Sequence, residues 1–456
     1  MGAGKQEGGR YFLDPFGCAK NQVDAETMMA VLDRSAWFRV EDSAAADLII
    51  INSCGFIESA KQESINAVLS YRKRYPGKKI LLAGCLAQRY GQELSASLVE
   101  ADGFFGNADL GGIAAAANGI LKKPGPLGEA PFPVSSSLLA ARPLLSLPGQ
   151  AYVKISEGCD NRCAFCAIPL IRGPLHSRPV PEVLEECRSL LDRGVRELCL
   201  VGQDLGSYGA DLNGTDLLAL LEALSTLDGH FWARLLYIHP DHFPRPILDI
   251  CRRDNRFLPY FDLPFQHGSA GILHAMGRRG DPERYLRLIA EIRSALPDAA
   301  IRSTFLTGFP GETDEDFRQL LDFQSQAELD WLGVFVYSRE ENTPAYSMKG
   351  RVPGKIAARR KAIIEERQIG ISEQRMDRFV GRSMEALVEE ALDIDLRSTD
   401  RSPEGRERFY LGRLYCQAPE VDGSVILRSG KPLAAGTFAQ GQIAARTGFD
   451  LEMRMP

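Results

Sequence analysis

The sequence has no long apolar segment and no excess of basic charge. No apolar run in the 456 residues approaches the roughly 20 residues that a membrane-spanning helix needs. The first ten residues, MGAGKQEGGR, lack the apolar core of a secretion signal. The 54 Lys and Arg face 60 Asp and Glu, and the net charge of −6 argues against a broadly basic, nucleic-acid-coating surface. We therefore expect a soluble, cytoplasmic, monomeric protein without a membrane partner.

The sequence also lacks the setting in which cysteines form disulfides, although it contains ten of them. A large chain without a secretion signal does not use a disulfide framework, so its cysteines are either buried apolar residues or metal ligands. Three fall within eight residues. The ten are Cys18, Cys54, Cys85, Cys159, Cys163, Cys166, Cys187, Cys199, Cys251 and Cys416.

Short apolar runs alternate with helical patterns in the N-terminal region. Strands are predicted at residues 11–16, 48–51 and 79–83, with helices at 25–32 and 57–71. Strand–helix alternation is typical of a parallel sheet with helices on its faces. Six prolines then fall within residues 122–150, which predicts a linker or an extended segment over the surface.

Strand–helix alternation resumes at residue 151. Six strands are predicted at residues 152–155, 198–202, 233–238, 260–263, 301–306 and 332–337, with helices between most of them, for example 181–193, 216–227 and 314–326. Such a series predicts an open or partial barrel of parallel strands, whose sites collect at the C-terminal strand ends. A long helix is predicted at residues 355–378.

The last part of the chain changes character. Short strands at residues 386–390, 409–416, 424–427 and 442–445 predict a small antiparallel β-barrel. We therefore predict an α/β protein with an N-terminal domain (1–121), a linker (122–150), a partial barrel (151–378) and a C-terminal β-barrel (379–456).

The strongest chemical signal is a loop with three cysteines, Cys159, Cys163 and Cys166, spaced C-x3-C-x2-C after the first strand of the predicted barrel. Three thiolates on one loop can bind three corners of an iron–sulfur cube, which leaves the fourth iron open to a small molecule. A tetrahedral zinc ion would need a fourth ligand, and the loop contains no His.

This loop resembles that of the radical S-adenosylmethionine (SAM) enzymes, including the aromatic residue before the third cysteine. In that superfamily the open iron chelates SAM, and one electron from the cluster cleaves SAM to methionine and a 5′-deoxyadenosyl radical. The resemblance implies that Cys159, Cys163 and Cys166 bind a [4Fe–4S] cluster, with Phe165 against the nucleoside.

Three further cysteines share one setting. Cys18, Cys54 and Cys85 each follow an apolar strand, precede a helix and have a glycine beside them, Gly17, Gly55 or Gly84. Parallel strands end on the same sheet edge, so the three can converge, and helix N-termini favour thiolates. The glycines would let the backbone approach a bulky inorganic ligand. Taken singly, each cysteine could be a small residue at a tight turn.

A cysteine-rich α/β domain, a radical SAM barrel and a small β-barrel called TRAM follow in this order in the methylthiotransferases, which the chain resembles from about residue 11 to residue 445. The resemblance implies that Cys18, Cys54 and Cys85 hold a second [4Fe–4S] cluster, whose open iron carries the sulfur to be inserted. It also implies an electron donor such as flavodoxin or ferredoxin.

Two branches of this family compete. RimO-like enzymes modify an aspartate of the twelfth small-subunit ribosomal protein, and MiaB-like enzymes modify an isopentenyladenosine of tRNA. Four stretches resemble the RimO-like branch: GCAKNQVD at 17–24, IPLIRG at 168–173, GQD at 202–204 with Tyr208-Gly209, and APEVDG at 418–423. The tRNA branch usually has Asn where Asp204 stands. Leu205-Gly206 departs from a typical Thr-Thr pair, which puts detailed substrate contacts in doubt.

Charge gives an independent indication of the substrate. Residues 376–456 contain 11 Lys or Arg and 13 Asp or Glu, so their net charge is 11 − 13 = −2. A module that grips tRNA should carry a basic face, whereas an acidic one suits a basic ribosomal protein. The resemblance therefore favours conversion of an aspartate β-CH₂ to CH(SCH₃). The alternatives are tRNA methylthiolation and a non-catalytic iron–sulfur carrier.

Other candidate site residues lie at predicted strand ends. The resemblance places Gly202, Gln203 and Asp204 near the amino group of SAM, and Gly308 and Gly311 near its adenosine or methionine part. Either segment could instead be a plain turn before a helix.

Three further residues are candidates for substrate contact. Arg172 and Arg178 could each form a bidentate hydrogen bond to a carboxylate, or could lie on the solvated surface. His267 could line the cavity, or be a core histidine. The remaining cysteines lack partners at ligand spacing and are predicted to be packing residues.

Overall fold

The computed structural model describes residues 9–121, 134–393 and 407–456. They form a parallel α/β sheet, a larger parallel partial barrel and a small closed β-barrel, in that order along the chain. The predicted fold class is confirmed. Within these ranges no helix is both long and apolar enough to cross a bilayer.

The N-terminal sheet contains five parallel strands, β1 (Arg10–Pro15), β2 (Phe38–Arg39), β3 (Leu48–Ser53), β4 (Lys79–Gly84) and β5 (Gly103–Phe105). Its helices are α1 (Ala19–Arg34), α2 (Glu58–Arg74), α3 (Cys85–Ser97) and α4 (Ile113–Leu121). The strand order is β2-β1-β3-β4-β5, so β1, β3 and β4 are neighbours. Ile50 and Ile51 enter cores on opposite faces, which explains the unbroken apolar run of β3.

The connection to the central domain is partly helical. Residues 122–133 lie outside the described residues, but α5 (Ser136–Ala141) follows, and Ser135 caps it by accepting from the Leu138 N–H. Arg142 is fully buried and donates to Glu26 of α1 (2.8 Å) and to Glu186 (2.5 Å). The prediction of an extended surface segment is therefore wrong here, because a capped helix and a buried ion pair tie this segment into both flanking domains.

The central sheet has six parallel strands, β6 (Gln150–Lys154), β9 (Glu197–Val201), β10 (Trp232–Leu235), β11 (Phe257–Asp262), β12 (Ala300–Thr307) and β13 (Trp331–Val336). Their order is β13-β12-β11-β10-β9-β6, with β6 and β13 at the open edges. A separate pair is formed by β7 (Ser156–Glu157) and β8 (His176–Ser177). The helices are α6 (Ile168–Arg172), α7 (Val180–Asp192), α8 (Leu217–Ser225), α9 (Ile247–Arg253), α10 (Ala270–Ala275), α11 (Pro282–Ala295), α12 (Asp314–Ala327) and α13 (Gly354–Asp377). The predicted series of six strands is confirmed.

The C-terminal domain is a closed five-stranded barrel in the order β14-β15-β16-β18-β17. Its strands are β14 (Ser383–Leu392), β15 (Arg408–Leu414), β16 (Val425–Ser429), β17 (Phe438–Thr447) and β18 (Asp450–Arg454). The prediction of an antiparallel barrel needs one correction, because β16 and β18 pair in parallel. An odd number of strands cannot alternate in direction around a closed ring, so at least one pair must be parallel.

The two faces of the central sheet bury different partners. Val153 and Leu200 belong to the core beneath the surrounding helices, whereas Tyr152 and Cys199 belong to a second core shared with the C-terminal barrel. The alternation follows from the two-residue period of a strand. With both faces covered, the C-terminal strand ends remain as the place for a site.

Candidate functional site

One cavity of about 370 Å³ is lined by all six cysteines of the two predicted sets. They are Cys18, Cys54 and Cys85 from the N-terminal domain, and Cys159, Cys163 and Cys166 from the central domain. The cavity therefore lies between the C-terminal strand ends of the two parallel sheets. Two three-cysteine sets on separate domains face each other across a single space.

The N-terminal set comes from three adjacent strand ends. Cys18 lies between β1 and α1, Cys54 directly follows β3, and Cys85 directly follows β4 as the first residue of α3. Because β1, β3 and β4 are neighbours in register, their ends bring these side chains to one edge.

Glycines beside these cysteines allow the three turns to pack on one another. A Cβ on Gly55 would lie 2.8 Å from the Cys85 carbonyl carbon, and one on Gly84 would lie 2.7 Å from the Ser53 carbonyl oxygen. Gly17 and Gly84 have φ of +97° and +90°. The contacts that require glycine here are thus between turns, and the close approach of the backbone to an inorganic ligand stays a prediction.

Asn21 joins the same three turns. Its amide donates to the carbonyl oxygens of Phe16 (2.5 Å), Asn52 (3.2 Å) and Ser53 (3.3 Å), and its side-chain oxygen accepts from Cys85 Sγ (3.7 Å). Asn21 belongs to the motif at residues 17–24 but had no predicted role. The signal in the sequence was an amide side chain three residues after a candidate ligand, and the structure shows that this side chain is buried.

Arg172 links the two domains at the cavity. Its guanidinium donates to Asp24 (2.8 Å) and Glu157 (2.7 Å), and also to the sulfur of Cys85 (3.1 Å). Arg172 lines the cavity, but its guanidinium already forms ion pairs with two carboxylates of this chain. A role in gripping a substrate carboxylate, as predicted, would require one of these ion pairs to break.

The central three-cysteine loop is held at both ends by backbone hydrogen bonds. The Cys159 N–H donates to the Gly173 carbonyl (3.1 Å), and the Ala164 N–H donates to the Met276 carbonyl (2.8 Å). Gly158 has φ of +69°, and a Cβ there would lie 1.9 Å from the Pro174 carbonyl oxygen, so only glycine fits.

Asp204 organises the end of β9. Its carboxylate accepts from Asn161 Nδ2 (2.9 Å), Ser207 Oγ (2.7 Å), His242 Nδ1 (2.7 Å) and the His239 N–H (3.0 Å). Burial raises the pKa of Asp204, but the hydrogen bonds from His242 and Ser207 outweigh this effect and hold it well below its usual value. Asp204 therefore positions the cysteine loop through Asn161.

The structure brings some of the other predicted residues to the cavity. Phe165 and Gln203 line it, while Gly202 packs beside it, where a Cβ would lie 2.6 Å from Ser156 Oγ. Gly308 lines a different cavity of about 220 Å³, and Gly311 donates to the Gly350 carbonyl (2.7 Å).

Two predicted substrate contacts lie elsewhere. Arg178 donates to Glu186 (2.6 Å) and to the Lys154 carbonyl (2.8 Å). His267 is fully buried and accepts from the Ser269 N–H through Nδ1 (3.0 Å). Neither lines the cavity, because an internal ion pair holds the arginine and core packing holds the histidine.

Sequence reasoning missed several residues of the cavity lining. These are Lys20, Tyr237, His239 and Arg278. Tyr237 and His239 follow β10, and no site residue was predicted at the end of this strand. The four cysteines predicted to be packing residues are all buried in the cores: Cys187, Cys199, Cys251 and Cys416.

Family models match three parts of the chain. Residues 10–106 match the uncharacterized protein family UPF0004, residues 153–323 the radical SAM superfamily, and residues 380–455 the TRAM domain. A ribosomal protein uS12 methylthiotransferase RimO from Treponema denticola is 45% identical, over 96% of this chain and 99% of its own length. The protein belongs to the RimO family of radical SAM methylthiotransferases.

A second relative and a solved structure support the assignment of this chain to the RimO family. A ribosomal protein uS12 methylthiotransferase RimO from Pelotomaculum thermopropionicum is 40% identical, over 96% of this chain and 97% of its own length. Among solved structures, the radical SAM methyltransferase TsrM from Kitasatospora setae superposes with a TM-score of 0.52 at 14% identity, over 74% of each chain. The structural likeness shows a shared fold, and the sequence relatives show the family.

The protein is thus a radical SAM enzyme, and its cofactors are SAM and [4Fe–4S] clusters. The donors around the cysteines fit such clusters. Cys85 Sγ accepts from Arg172 and from Asn107 Nδ2 (3.5 Å), and Cys159 Sγ accepts from the Asn161 N–H (3.4 Å). Hydrogen bonds to sulfur are one means by which proteins stabilise cluster ligands.

The pKa values of the cysteine thiols also favour a ligand that contains several metal cations. Burial raises the pKa of Cys85 and of Cys166 to about 12, so each would be a neutral thiol without a bound cation. Burial also raises the pKa of Cys18, but Lys20, Arg172 and backbone N–H groups bring it below its ordinary value. In the described ranges no three His, Cys, Asp or Glu side chains converge as ligands of a single metal ion. Thiolates spread around a cavity suit a cluster in which each binds a separate iron.

Proposed function

We propose that this chain adds a methylthio group to the β-carbon of an aspartate in ribosomal protein uS12. The observation that carries the proposal is the single cavity lined by two three-cysteine sets from different domains. A reaction that draws on two clusters needs both to face one substrate. The names of the relatives supply the substrate.

Within this proposal, Cys18, Cys54 and Cys85 hold one [4Fe–4S] cluster, and Cys159, Cys163 and Cys166 hold the other. Phe165 and Gln203 contact SAM, and they are supported by their place in the cavity lining. Gly202 and Asp204 act by shaping the strand end and fixing the cysteine loop. Gly308 and Gly311 are left without a direct contact.

The clusters and SAM, when bound, supply the one-electron chemistry and the sulfur, because removing hydrogen from an unactivated carbon exceeds side-chain acid–base chemistry. The chain itself orients the reactants. Asn21 holds the three N-terminal turns together, and Asp204 holds Asn161 of the cysteine loop. Arg172 bridges the two sets through Asp24, Glu157 and Cys85.

The remaining expectations belong to the same proposal. The chain divides into residues 1–121, 151–378 and 379–456, joined by 122–150, and acts in the cytoplasm as a monomer. Flavodoxin or ferredoxin supplies the electrons, and free uS12 or the assembled ribosome presents the aspartate. The family matches at residues 10–106, 153–323 and 380–455 support this division.

A substrate competition tests the proposal. The anaerobically reconstituted enzyme receives SAM, a reductant, a uS12 peptide and an isopentenyladenosine-containing tRNA in one reaction. We expect 5′-deoxyadenosine and a methylthio mass gain on the peptide. Cys166→Ala should abolish both products, whereas Cys251→Ala, a packing cysteine, should form both. A mass gain confined to the tRNA would refute the proposed substrate.

A further inference from the structure

Three Lys or Arg side chains line the six-cysteine cavity, and they differ in their partners. Arg172 is held by two carboxylates, Asp24 and Glu157. Lys20 and Arg278 form no ion pair with a carboxylate in the described ranges, although Lys20 lies close enough to Cys18 to lower the pKa of its thiol. A buried cation without a carboxylate is costly unless a ligand supplies the opposite charge.

Lys20 is the clearest case. The residue is only 7% exposed, yet it lines the cavity. Its ammonium lies over the ring of Tyr237, with Nζ 3.5 Å from the ring centroid. A cation–π contact fixes the direction of an ammonium but leaves its N–H donors free for an anion.

The backbone of Tyr237 supports this arrangement. Tyr237 has φ of +68°, a conformation that a bulky side chain rarely adopts. Its carbonyl accepts from the Leu205 N–H (2.9 Å), which ties it to the neighbouring strand end. Such strain persists where the surrounding structure enforces it, and here it places an aromatic ring beneath the unpaired lysine.

Arg278 belongs to the other side of the cavity. Its guanidinium donates to His239 Nε2 (2.5 Å), and this ring nitrogen lies 4.0 Å from Cys163 Sγ. Arg278 is therefore associated with the central cysteine loop. Lys20 follows Cys18 by two residues and is associated with the N-terminal set. The two unpaired cations thus stand beside different cysteine sets.

We propose that Lys20 binds the side-chain carboxylate of the substrate aspartate and so selects aspartate over asparagine. This inference rests on the proposed function, in which the substrate side chain must lie where the N-terminal set delivers sulfur. A carboxylate entering a buried space needs a cationic partner. Lys20 is the unpaired cation on that side, and Asp24 and Glu157 hold Arg172 away from this role.

The test compares uS12 peptides that carry either Asp or Asn at the modified position. Binding to the reconstituted holoenzyme is measured by fluorescence anisotropy, so the readout does not depend on turnover. We expect the wild-type enzyme to prefer Asp by about 30-fold or more, as for a desolvated charge pair. Lys20→Met should bring the ratio near one, and Lys20→Arg should retain a preference for Asp.

Two controls separate this role from damage to the site. Lys79→Met removes a lysine at the other end of β4 from Cys85 and should behave as wild type. Iron content is measured for each variant, so that the Asp preference is compared only between proteins that hold the same amount of iron. If Lys20→Met loses iron, Lys20→Gln carries the same expectation with a polar side chain of similar reach.

The outcomes distinguish the inference from the proposed function. If wild type methylthiolates the Asp peptide while Lys20→Met or Lys20→Gln keeps its preference for Asp, the role of Lys20 is refuted and the function stands. Loss of the preference in Arg278→Met but not in the Lys20 variants would refute it in the same way. If wild type modifies only the tRNA, the proposed function fails, and this inference fails with it.

Discussion

The central domain meets its two neighbours through interfaces of different kinds. On the C-terminal side it shares an apolar core with the small barrel, which includes Tyr152 and Trp331 together with Leu414 and Ile443. On the N-terminal side the contacts are mainly ionic and surround the cavity. The first interface resembles the interior of a single domain, and the second resembles two surfaces brought together.

Buried polar groups secure the C-terminal interface. Glu197 of β9 accepts from Arg234 (2.7 Å) and from Arg413 of the small barrel (2.5 Å). Trp331 donates through Nε1 to the Cys416 carbonyl (2.6 Å), and Tyr260 donates to Asp422 (2.6 Å). These bonds lie beside packed apolar side chains, so the two domains are expected to unfold together.

Ion pairs dominate the N-terminal interface. Glu340 accepts from Arg89 (2.6 Å) and Lys61 (3.1 Å), and Glu26 accepts from the connecting Arg142. The apolar contribution is small: Val23 joins the shared core, and a minor cluster contains Cys85, Ala167 and Ile171. A reaction site needs this interface to leave space, whereas the C-terminal interface fills its space with side chains.

The largest expected effect on the free energy of unfolding comes from truncating a large side chain in the shared apolar core. Trp331→Ala should lower the free energy of unfolding by about 3–5 kcal/mol, because a buried tryptophan leaves a large cavity. Urea unfolding followed by circular dichroism measures it. Phe449→Ala is the matched control, since Phe449 packs on Trp331 but is 41% exposed, and it should cost far less. Equal losses in the two variants would contradict a merged core.

Lowering the pH tests the buried polar part of the C-terminal interface, in which Glu197 pairs with two arginines. Burial raises the pKa of Glu197, but Arg413 and Arg234 lower it to about 2, below the ordinary value of 4.5. A depressed folded pKa stabilises the protein above the unfolded pKa, and this contribution is lost as the pH falls from about 4.5 to about 2. We expect about 3 kcal/mol to disappear over that window.

The measurement is the free energy of unfolding of wild type and Glu197→Gln from pH 6 to pH 2. The variant should be less stable at pH 6 and should show a shallower pH dependence below pH 4.5. Parallel curves for the two proteins would show that Glu197 does not carry the effect.

The smallest expected effect concerns the ionic side. Glu340→Gln keeps a hydrogen-bond acceptor but removes the charge that faces Arg89 and Lys61, and should lower the free energy of unfolding by about 2 kcal/mol. Hydrogen exchange should rise in α2 and α3 without change in the C-terminal barrel. Glu58→Gln, whose carboxylate is 75% exposed, is the control and should change stability by less than about 0.5 kcal/mol. Faster exchange throughout the chain would contradict a separable N-terminal interface.

Patterns local in the sequence predicted the regular elements well. The alternation of apolar runs with helical patterns located all six central strands, because each strand is a short buried segment between turns. Elements with few residues or polar surroundings escaped, including β2, α5 and β18. A two-residue strand or a helix of six residues carries too little periodicity to stand out.

The candidate site divides in the same way. The spacing of Cys159, Cys163 and Cys166 lies within one loop and was visible directly. The partners of Arg172 are 15 and 148 residues distant in the chain, and no pattern in the sequence joins them. Arg178 and His267 show the converse, since a chemically suitable residue near a motif can be committed to an internal partner.

By itself the sequence determined the fold class, the two cysteine sets and the family, because strand periodicity, ligand spacing and motifs are all written along the chain. The tertiary structure alone decided that both sets face one cavity, that Asp24 and Glu157 pair with Arg172, and that no carboxylate among the described residues pairs with Lys20. Periodicity sets which residues are buried, but pairing between distant charges depends on how the domains pack. The position of Lys20 beside this cavity is therefore a property of the domain arrangement.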